Sequence, residues 1–355
     1  MTPFGRRHFL QLAGSTALLA SCRPFELFSP TEMTETFYGG SRTEVFKGAA
    51  WRSDRLVGQQ ALESDIHSVV ASKKLQLRIY LPKGEAAAYV QQGEQPLRLF
   101  APADGFQFYG HGAIDEARDI LYTTQAPAGN YGNVREMRAR VGKIFTYSLP
   151  SMKLLGSFAS YGNGPHEVQI VGRELVVCNG GLESNVAFIN LDTQQLVQSI
   201  AGFPDHLCAR HLLKIDEHQY VIGTMADHFT QLSPLYHLDR RQPRVQANPA
   251  CLQLGPSKLD GQLLSLASFQ DHVFGTSNVS GYVHVWNTRG AIVASLPLAN
   301  ASGLAVSQQL GGVVVNSAEA ELPFHLVKFL HGQFKLLPLS WGQGLTGAHL
   351  HLHTA

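Results

Sequence analysis

The stretch that decides the fold reads Asn185-Val-Ala-Phe-Ile-Asn-Leu-Asp-Thr-Gln-Gln-Leu-Val-Gln-Ser-Ile200. Two short segments rich in apolar residues flank a polar turn that contains Asn, Asp and Thr. Alternation of apolar and polar residues around such a turn is typical of a half-buried antiparallel hairpin. The stretch therefore predicts two paired strands.

The same hairpin phrase recurs along the chain. Clear copies occupy residues 143–158 and 281–296, and weaker copies occupy residues 88–100, 233–239 and 324–334. The 34 glycines and 17 prolines fit a protein with many turns. Regular repetition of strands and turns predicts an all-β fold and argues against a helical bundle.

A second phrase precedes each hairpin, and in five of its seven copies it ends in histidine. The seven positions are His67, His111, His166, His211, Ser265, Gly303 and His349. They are separated by 44, 55, 45, 54, 38 and 46 residues, a mean of 47. This is the length of a four-stranded propeller blade, so the spacing predicts a seven-bladed β-propeller of the WD40/YVTN-like type.

The two ends of the chain complete the seventh blade. Three candidate strands lie between residues 34 and 62, and the few residues after His349 provide one innermost strand. Closing the ring in this way removes an open sheet edge. We therefore expect one propeller domain over residues 34–355, preceded by a tether over residues 22–33.

The composition excludes some classes of function. Apolar residues make up 44% of the chain and charged residues 15%, so a large core is possible. The 28 Lys and Arg residues balance 27 Asp and Glu residues, which gives a formal charge of +1 without any basic block. This distribution argues against nucleic-acid binding.

The N-terminus resembles an export signal. Arg6 and Arg7 precede a short apolar run that ends at Cys22. A pair of arginines before such a run predicts a twin-arginine signal peptide over residues 1–21 and a periplasmic location. Leu19-Ala-Ser-Cys22 also resembles a lipobox, in which Cys22 would carry the only membrane anchor; ordinary cleavage nearby is the alternative.

Three further cysteines, Cys178, Cys208 and Cys251, are odd in number and widely spaced. This pattern does not indicate a disulfide scaffold, and we expect buried thiols.

The phased histidines are the candidate site. Residues at one phase of the innermost strands face one another across a propeller channel, and imidazole suits iron, copper, zinc and nickel. Glu167 can be a ligand or can orient an imidazole, and Arg210 adds a guanidinium beside His211. Hydrogen bonds from each histidine to a neighbouring blade are an equally weighted alternative. His351 and His353 are weaker candidates on the last strand.

Several short motifs resemble an uncharacterised family of exported bacterial seven-bladed propellers. They are Phe108-Tyr-Gly-His-Gly112, Leu121-Tyr-Thr-Thr124, Gly162-Asn-Gly-Pro-His-Glu167, Val176-Val-Cys-Asn-Gly-Gly-Leu-Glu183, Arg210-His-Leu212 and Val285-Trp286. Members of that family often carry twin-arginine signals. They tend to be encoded beside imelysin-type lipoproteins and a dihaem oxidoreductase-like protein, so the resemblance implies iron uptake and a periplasmic partner of one of these types.

The resemblance also marks individual residues. The family features retained here are His111, His166, Glu167, Asn179, Gly180, Gly181, Glu183, Arg210 and His211. We therefore expect Asn179 and Glu183 to contribute to ligand binding. The chain departs from the family at Asp65-Ile-His67, at Lys83 and at Gln125, where arginines and a glutamate are usual, and residues 126–142 are longer than usual.

Three functions are compatible with the sequence. The first is binding of iron or copper at His67, His111, His166, His211 and His349 in the service of metal uptake. The second is a non-enzymatic scaffold for a periplasmic uptake complex. The third is a lyase or oxidoreductase that uses His166 or His211 as a base; it ranks last because the sequence contains no nucleophile or cofactor motif.

Overall fold

A computed structural model of the chain describes residues 35–40, 47–52, 55–62, 65–84, 87–129, 134–254, 256–319, 323–342, 345 and 349–354. The predicted signal peptide, the tether and Cys22 lie outside these residues. Among the described residues, no helix is long and apolar enough to cross a membrane.

The described residues form 28 strands and three short helices. The strands are β1 (Glu35–Gly40), β2 (Lys47–Arg52), β3 (Arg55–Ala61), β4 (Ile66–Ser72), β5 (Leu77–Gly84), β6 (Ala88–Gln92), β7 (Arg98–Phe100), β8 (Phe106–Asp115), β9 (Ile120–Pro127), β10 (Lys143–Ser148), β11 (Lys153–Ala159), β12 (Pro165–Val171), β13 (Glu174–Asn179), β14 (Asn185–Asn190), β15 (Leu196–Ala201), β16 (Leu207–Lys214), β17 (Gln219–Ala226), β18 (Tyr236–Asp239), β19 (Gln246–Ala247), β20 (Ser265–Phe269), β21 (His272–Ser277), β22 (Tyr282–Asn287), β23 (Ile292–Pro297), β24 (Ala301–Ser307), β25 (Gly312–Ser317), β26 (Phe324–Leu330), β27 (Gln333–Leu339) and β28 (His351–Thr354). The helices are α1 (Val134–Ala139), α2 (Pro249–Leu254) and α3 (Pro256–Leu259).

The strands form seven antiparallel sets of four, which are the blades of a propeller. Blades 1 to 6 begin at β4, β8, β12, β16, β20 and β24, and each contains four consecutive strands. Blade 7 has the order β28-β1-β2-β3, so the last strand of the chain pairs with the first. The predicted seven-bladed β-propeller and its ring closure are confirmed.

Short polar residues close the hairpins within the blades. The side-chain oxygen of Asn190 accepts hydrogen bonds from the backbone N–H groups of Asp192 and Thr193 at 2.9 and 3.0 Å. Asn287 makes the same kind of contact at the end of β22. These side chains mimic a backbone turn, which explains why the hairpin phrase places Asn or Asp where the chain reverses.

The core lies between neighbouring blades. One cluster joins Val176 and Phe188 of blade 3 to Leu212 and Tyr220 of blade 4. The same kind of packing closes the propeller between blades 6 and 7. Phe37 of blade 7 packs against Trp341, which follows β27 of blade 6, with 5.4 Å between the centroids of the two aromatic rings. The buried carboxylate of Glu35 also accepts hydrogen bonds from the Ser307 hydroxyl and from backbone N–H groups that follow it.

The innermost strands carry β-bulges at the histidine positions. The register of the ladder shifts between Ile66 and Ser68, Phe108 and Gly112, Pro165 and Val168, and Ala209 and His211. A bulge adds one unpaired residue and redirects the neighbouring side chains. Four of the five histidines therefore lie at or directly after a bulge, while His349 lies just before β28.

Blade 6 has glycine at the equivalent position because the chain at His349 passes against it. A Cβ atom on Gly303 would lie 2.4 Å from the backbone nitrogen of Leu350 and 2.9 Å from the Cα atom of His349. The absence of histidine from this blade is thus a packing requirement of the blade that supplies His349.

All three described cysteines are buried and free, as predicted.

We predict that Gly303→Ala destabilises the propeller. The added methyl group meets backbone atoms that cannot rotate away, and such overpacking costs about 1–3 kcal/mol. The measurement is the free energy of unfolding from denaturant titration. The matched control is Gly156→Ala on β11, where a Cβ atom would meet nothing within 4 Å; equal effects of the two substitutions contradict this account of blade 6.

Candidate functional site

The structure brings the five predicted histidines together at the axis of the ring. His67, His111 and His166 have ring nitrogens within 4.8 Å of one another, and so do His111, His211 and His349. The rings of the two groups also touch, with centroid distances of 4.8 Å between His67 and His349 and 5.0 Å between His166 and His211. We call these five residues the histidine cluster.

The local backbone makes room for this convergence. Gly110 adopts φ +99°, and a Cβ atom there would lie 2.3 Å from Cδ2 of His67. Only glycine therefore allows the His67 ring to lie beside β8. The single Thr124 hydroxyl proton is shared between the backbone oxygen of His166 at 2.9 Å and that of His111 at 3.2 Å, and so ties the histidine positions of blades 2 and 3 together.

The ring nitrogens have few partners in the protein. Nε2 of His67 lies 3.1 Å from Nε2 of His111, so one of these atoms must accept if the other donates. Nδ1 of His211 lies 3.0 Å from a carboxylate oxygen of Glu167. Among the described residues, neither ring nitrogen of His166 has a hydrogen-bond partner, and neither does Nε2 of His211. Polar atoms buried in this way cost about 1–3 kcal/mol each unless a ligand satisfies them.

Inter-blade hydrogen bonds, the structural alternative, occur within the described residues, and the His67–His111 contact between blades 1 and 2 is one of them. Another is the contact between His211 and Glu167, which joins blades 4 and 3. It accounts for Nδ1 and leaves Nε2 facing the cluster. A carboxylate on the far nitrogen fixes the tautomer and direction of a ligating imidazole. Glu167 therefore orients the His211 ring through Nδ1. The Glu167 carboxylate itself accepts hydrogen bonds from Gln169 Nε2 at 2.7 Å and from the Leu212 N–H at 3.2 Å.

Burial dominates the electrostatics. It lowers the pKa of His67, His111, His166 and His211 well below 6.5, and the positive charges of Arg210 and Lys83 lower the pKa of each further. Burial also raises the pKa of Glu167 to about 7, against the hydrogen bonds from Gln169 and Leu212. The four buried histidines of the cluster are thus neutral imidazoles, the form that binds metal ions.

Two cavities border the cluster. A cavity of 410 Å³ is lined by His67 together with Asp65, Lys83, Arg210, Met225, Ala226, Asp227, Phe229, Gln262 and Leu264. We call it the cationic cavity because Lys83 and Arg210 line it. A second cavity of 300 Å³ is lined by His111, His211 and His349, and also by Glu167 and by His351, a weaker sequence candidate.

The other predicted site residues lie in different places. Arg210 is buried beside the cluster, as expected from its neighbour His211. Asn179 ends β13, and its side chain donates to the Ser160 carbonyl and to Asn185 Oδ1, contacts that hold adjacent turns. Glu183 is exposed on the turn before β14. Ligand binding by Asn179 and Glu183 stays a prediction.

Sequence reasoning missed two residues near the site. The sequence marks Lys83 only as a departure from the family, yet β5 extends to pair with β8, opposite Tyr109, and the ammonium lies 5.1 Å from the Tyr109 ring. Arg138, in the long segment after β9, is buried and donates to the carbonyls of Gly181, Asp205 and Leu207 and to Asp227. The signal in the sequence that could have identified Arg138 is the high density of arginines in this segment.

The cluster has the dimensions of a coordination shell. Ligand nitrogens at 2.0–2.1 Å from a tetrahedral ion are about 3.3 Å apart, and trans ligands of a square-planar or octahedral ion are about 4.1 Å apart. The 3.1 Å separation in the His67–His111 pair is close to the shorter value, and the nitrogens of each group lie within 4.8 Å of one another, so a small inward movement brings them to coordination distance. The residues present could hold one transition-metal ion.

The sequence matches a known family over residues 61–329, described as "Protein of unknown function (DUF1513)". The chain belongs to this family. The match agrees with the uncharacterised propeller family that the motifs predicted, while export and partners stay predictions. No curated protein matches the sequence.

Solved structures similar to this chain share its fold at low identity. Hydrazine synthase of Kuenenia stuttgartiensis has a TM-score of 0.58 and 11% identity, over 83% of this chain and 90% of that chain. The structure of U3-55K has a TM-score of 0.56 and 13% identity, over 85% and 96%. The WD40 β-propeller domain of Doa1 has a TM-score of 0.55 and 11% identity, over 79% and 85%. Identities this low show the propeller fold alone.

We predict that the metal-free protein loses stability as the pH falls from about 7 to about 5.5. Below the unfolded-state value of about 6.5, each of the four histidines with a lowered pKa binds a proton more readily in the unfolded chain, which costs up to about 1.4 kcal/mol per pH unit. Glu167 offsets the loss of stability that one of these histidines causes, because its raised pKa favours the folded state as the pH falls from about 7. The free energy of unfolding measured across this range tests the slope.

His166→Gln should make this slope shallower, whereas the same change at the exposed His228 should leave it unchanged. Parallel curves for the original chain and His166→Gln contradict the electrostatic account.

Proposed function

We propose that this protein binds a transition-metal ion, iron or copper, at the histidine cluster. The observation that carries the proposal is the convergence of five imidazoles from five blades, four of them buried and that of His349 half-buried, with the nitrogens of His166 and Nε2 of His211 left without protein partners in the described part of the chain. A rigid propeller that buries ring nitrogens without hydrogen-bond partners at one point is suited to hold a metal ion.

The chemistry of the ligands narrows the choice of metal ion. The set is composed of imidazoles without a carboxylate or thiolate among the two groups of convergent atoms. Such a set suits copper, iron, zinc and nickel and does not suit calcium or magnesium, which prefer oxygen ligands. Among divalent ions, nitrogen ligands bind copper most tightly. Binding of iron instead of copper would therefore depend on which ion is available to the protein.

The cellular setting is proposed from the sequence. The arginine pair before an apolar run supports export to the periplasm, with Cys22 as a lipid anchor. The motif resemblance supports a role in metal uptake beside imelysin-type or dihaem proteins. A propeller that holds its ion on the channel axis is suited to pass it to such a partner.

A scaffold without metal is the second candidate. The outermost strands of two consecutive blades expose apolar side chains: Leu154 and Leu155 on β11, and Leu196 and Val197 on β15. Exposed apolar side chains that lie close together can mark a protein contact. In this alternative the histidines only stabilise the ring.

Metal analysis of the full chain, purified without an affinity tag, separates the two candidates. We expect a stoichiometric transition metal that is lost in the double variant His111→Ala/His166→Ala. A double variant at the exposed His206 and His228 is the control and should keep the metal. A folded protein that neither retains nor takes up iron or copper overturns metal binding and leaves the scaffold.

We predict that Glu167→Gln weakens the metal affinity by about 10- to 100-fold, because loss of a carboxylate behind a ligating imidazole has this effect. The measurement is the metal dissociation constant by competition with a chromogenic chelator. Glu174→Gln is the matched control, since the Glu174 side chain is 19% exposed against 17% for Glu167 but binds Arg240 instead. Equal affinities of the two variants would show that Glu167 does not orient His211.

A further inference from the structure

Arg210 is a buried charge without a counter-ion. The residue is 5% exposed, and it forms no hydrogen bond or ion pair with any residue that the structure describes. The groups that act most on its charge, apart from burial, are Tyr109 and Cys208, neither of which carries a carboxylate. Since a buried guanidinium stays protonated and costs several kcal/mol when unpaired, its surroundings are complete only with an anion.

The cationic cavity provides the space for that anion. Arg210 and Lys83 both line it, and His67 connects it to the histidine cluster. Of the two acids on its wall, Asp227 is already bound to Arg138 at 2.6 Å, and Asp65 also takes part in an interaction of its own. Met225, Phe229 and Leu264 give the same cavity an apolar side, and the Phe229 side chain is 61% exposed.

The cations also pose a problem for the metal. Arg210 and Lys83 act electrostatically on four of the clustered histidines, so a divalent ion placed there meets two positive charges in a medium that screens them poorly. An anion between the cations and the ion offsets both repulsions. A carboxylate matches the planar fork of arginine and is also a metal ligand.

We propose that the cationic cavity binds a small organic carboxylate, whose oxygens contact Arg210 and Lys83 and complete the coordination of the metal in the histidine cluster. The proposal rests on the metal binding proposed above. The apolar wall contacts the carbon chain of the ligand and so favours an organic anion over an inorganic one. The protein would then take its metal as a carboxylate complex.

The experiment uses succinate as the organic probe, inorganic phosphate as its comparison, and cobalt(II) as the metal. Calorimetry in chloride-free buffer at constant ionic strength measures succinate binding to the metal-free and cobalt-loaded full chain. The visible spectrum of bound cobalt reports whether the anion enters its coordination shell. We expect tighter succinate binding to the cobalt-loaded protein, a spectral change on addition, and weaker binding of phosphate.

Variants identify the anion contacts. Arg210→Gln should weaken succinate binding by about 10- to 100-fold, the usual effect of losing a charge-assisted hydrogen bond. Lys83→Gln lies at an exposed position, so it preserves the fold and should cause a smaller loss. Arg240→Gln is the control, because the Arg240 guanidinium is already bound to both oxygens of Glu174.

The outcomes separate this proposal from metal binding. Cobalt binding without any effect of succinate overturns the carboxylate site and leaves the metal site intact. Succinate binding that neither Arg210→Gln nor Lys83→Gln weakens overturns the assigned contacts, and tighter binding of phosphate overturns the organic class. Succinate binding that depends on Arg210 in a protein that takes up no metal overturns the metal site and the coordination step, while the anion contacts stand.

Discussion

The convergence of five imidazoles at one point, four of them buried, is the constraint on which the rest of this structure depends. A ring of seven blades brings the innermost strands to a common axis, and four of the five histidines are 8% exposed or less. In that environment protonation is unfavourable, so the rings stay neutral and their lone pairs are available. Burial thus converts a structural repeat into a set of potential ligands.

The blades meet this constraint through local irregularities. The bulges at His67, His111, His166 and Arg210 direct side chains inward, and Gly110 and Gly303 provide the clearance. Bulges are common next to functional sites because they redirect a side chain without disturbing the sheet on either side. Two blades differ. In blade 5, Ser265 pairs in regular register with Thr276 and there is no histidine, and in blade 7, His349 lies before β28, which pairs with β1 without a register shift.

The charges around the cluster are arranged on two sides. Glu167 lies behind His211, whereas Arg210 and Lys83 lie toward the cationic cavity. This arrangement is compatible with the proposed metal ion in the histidine cluster and the proposed anion in the cationic cavity. This arrangement accounts for Arg210 better than a structural role, because a structural arginine such as Arg138 satisfies its donors with carbonyls and an acid.

The sequence by itself determined the number of blades, the ring closure and the phase of the five histidines, because all three follow from strand periodicity and repeat length. Only the tertiary structure decided which nitrogens lack partners, that Lys83 reaches the site through the extension of β5, and that Asn179 holds turns together. The physical reason is that a bulge, a side-chain direction and a missing counter-ion depend on contacts between strands and blades distant in sequence. A repeat fixes where along each blade a residue lies; packing between blades fixes what it touches.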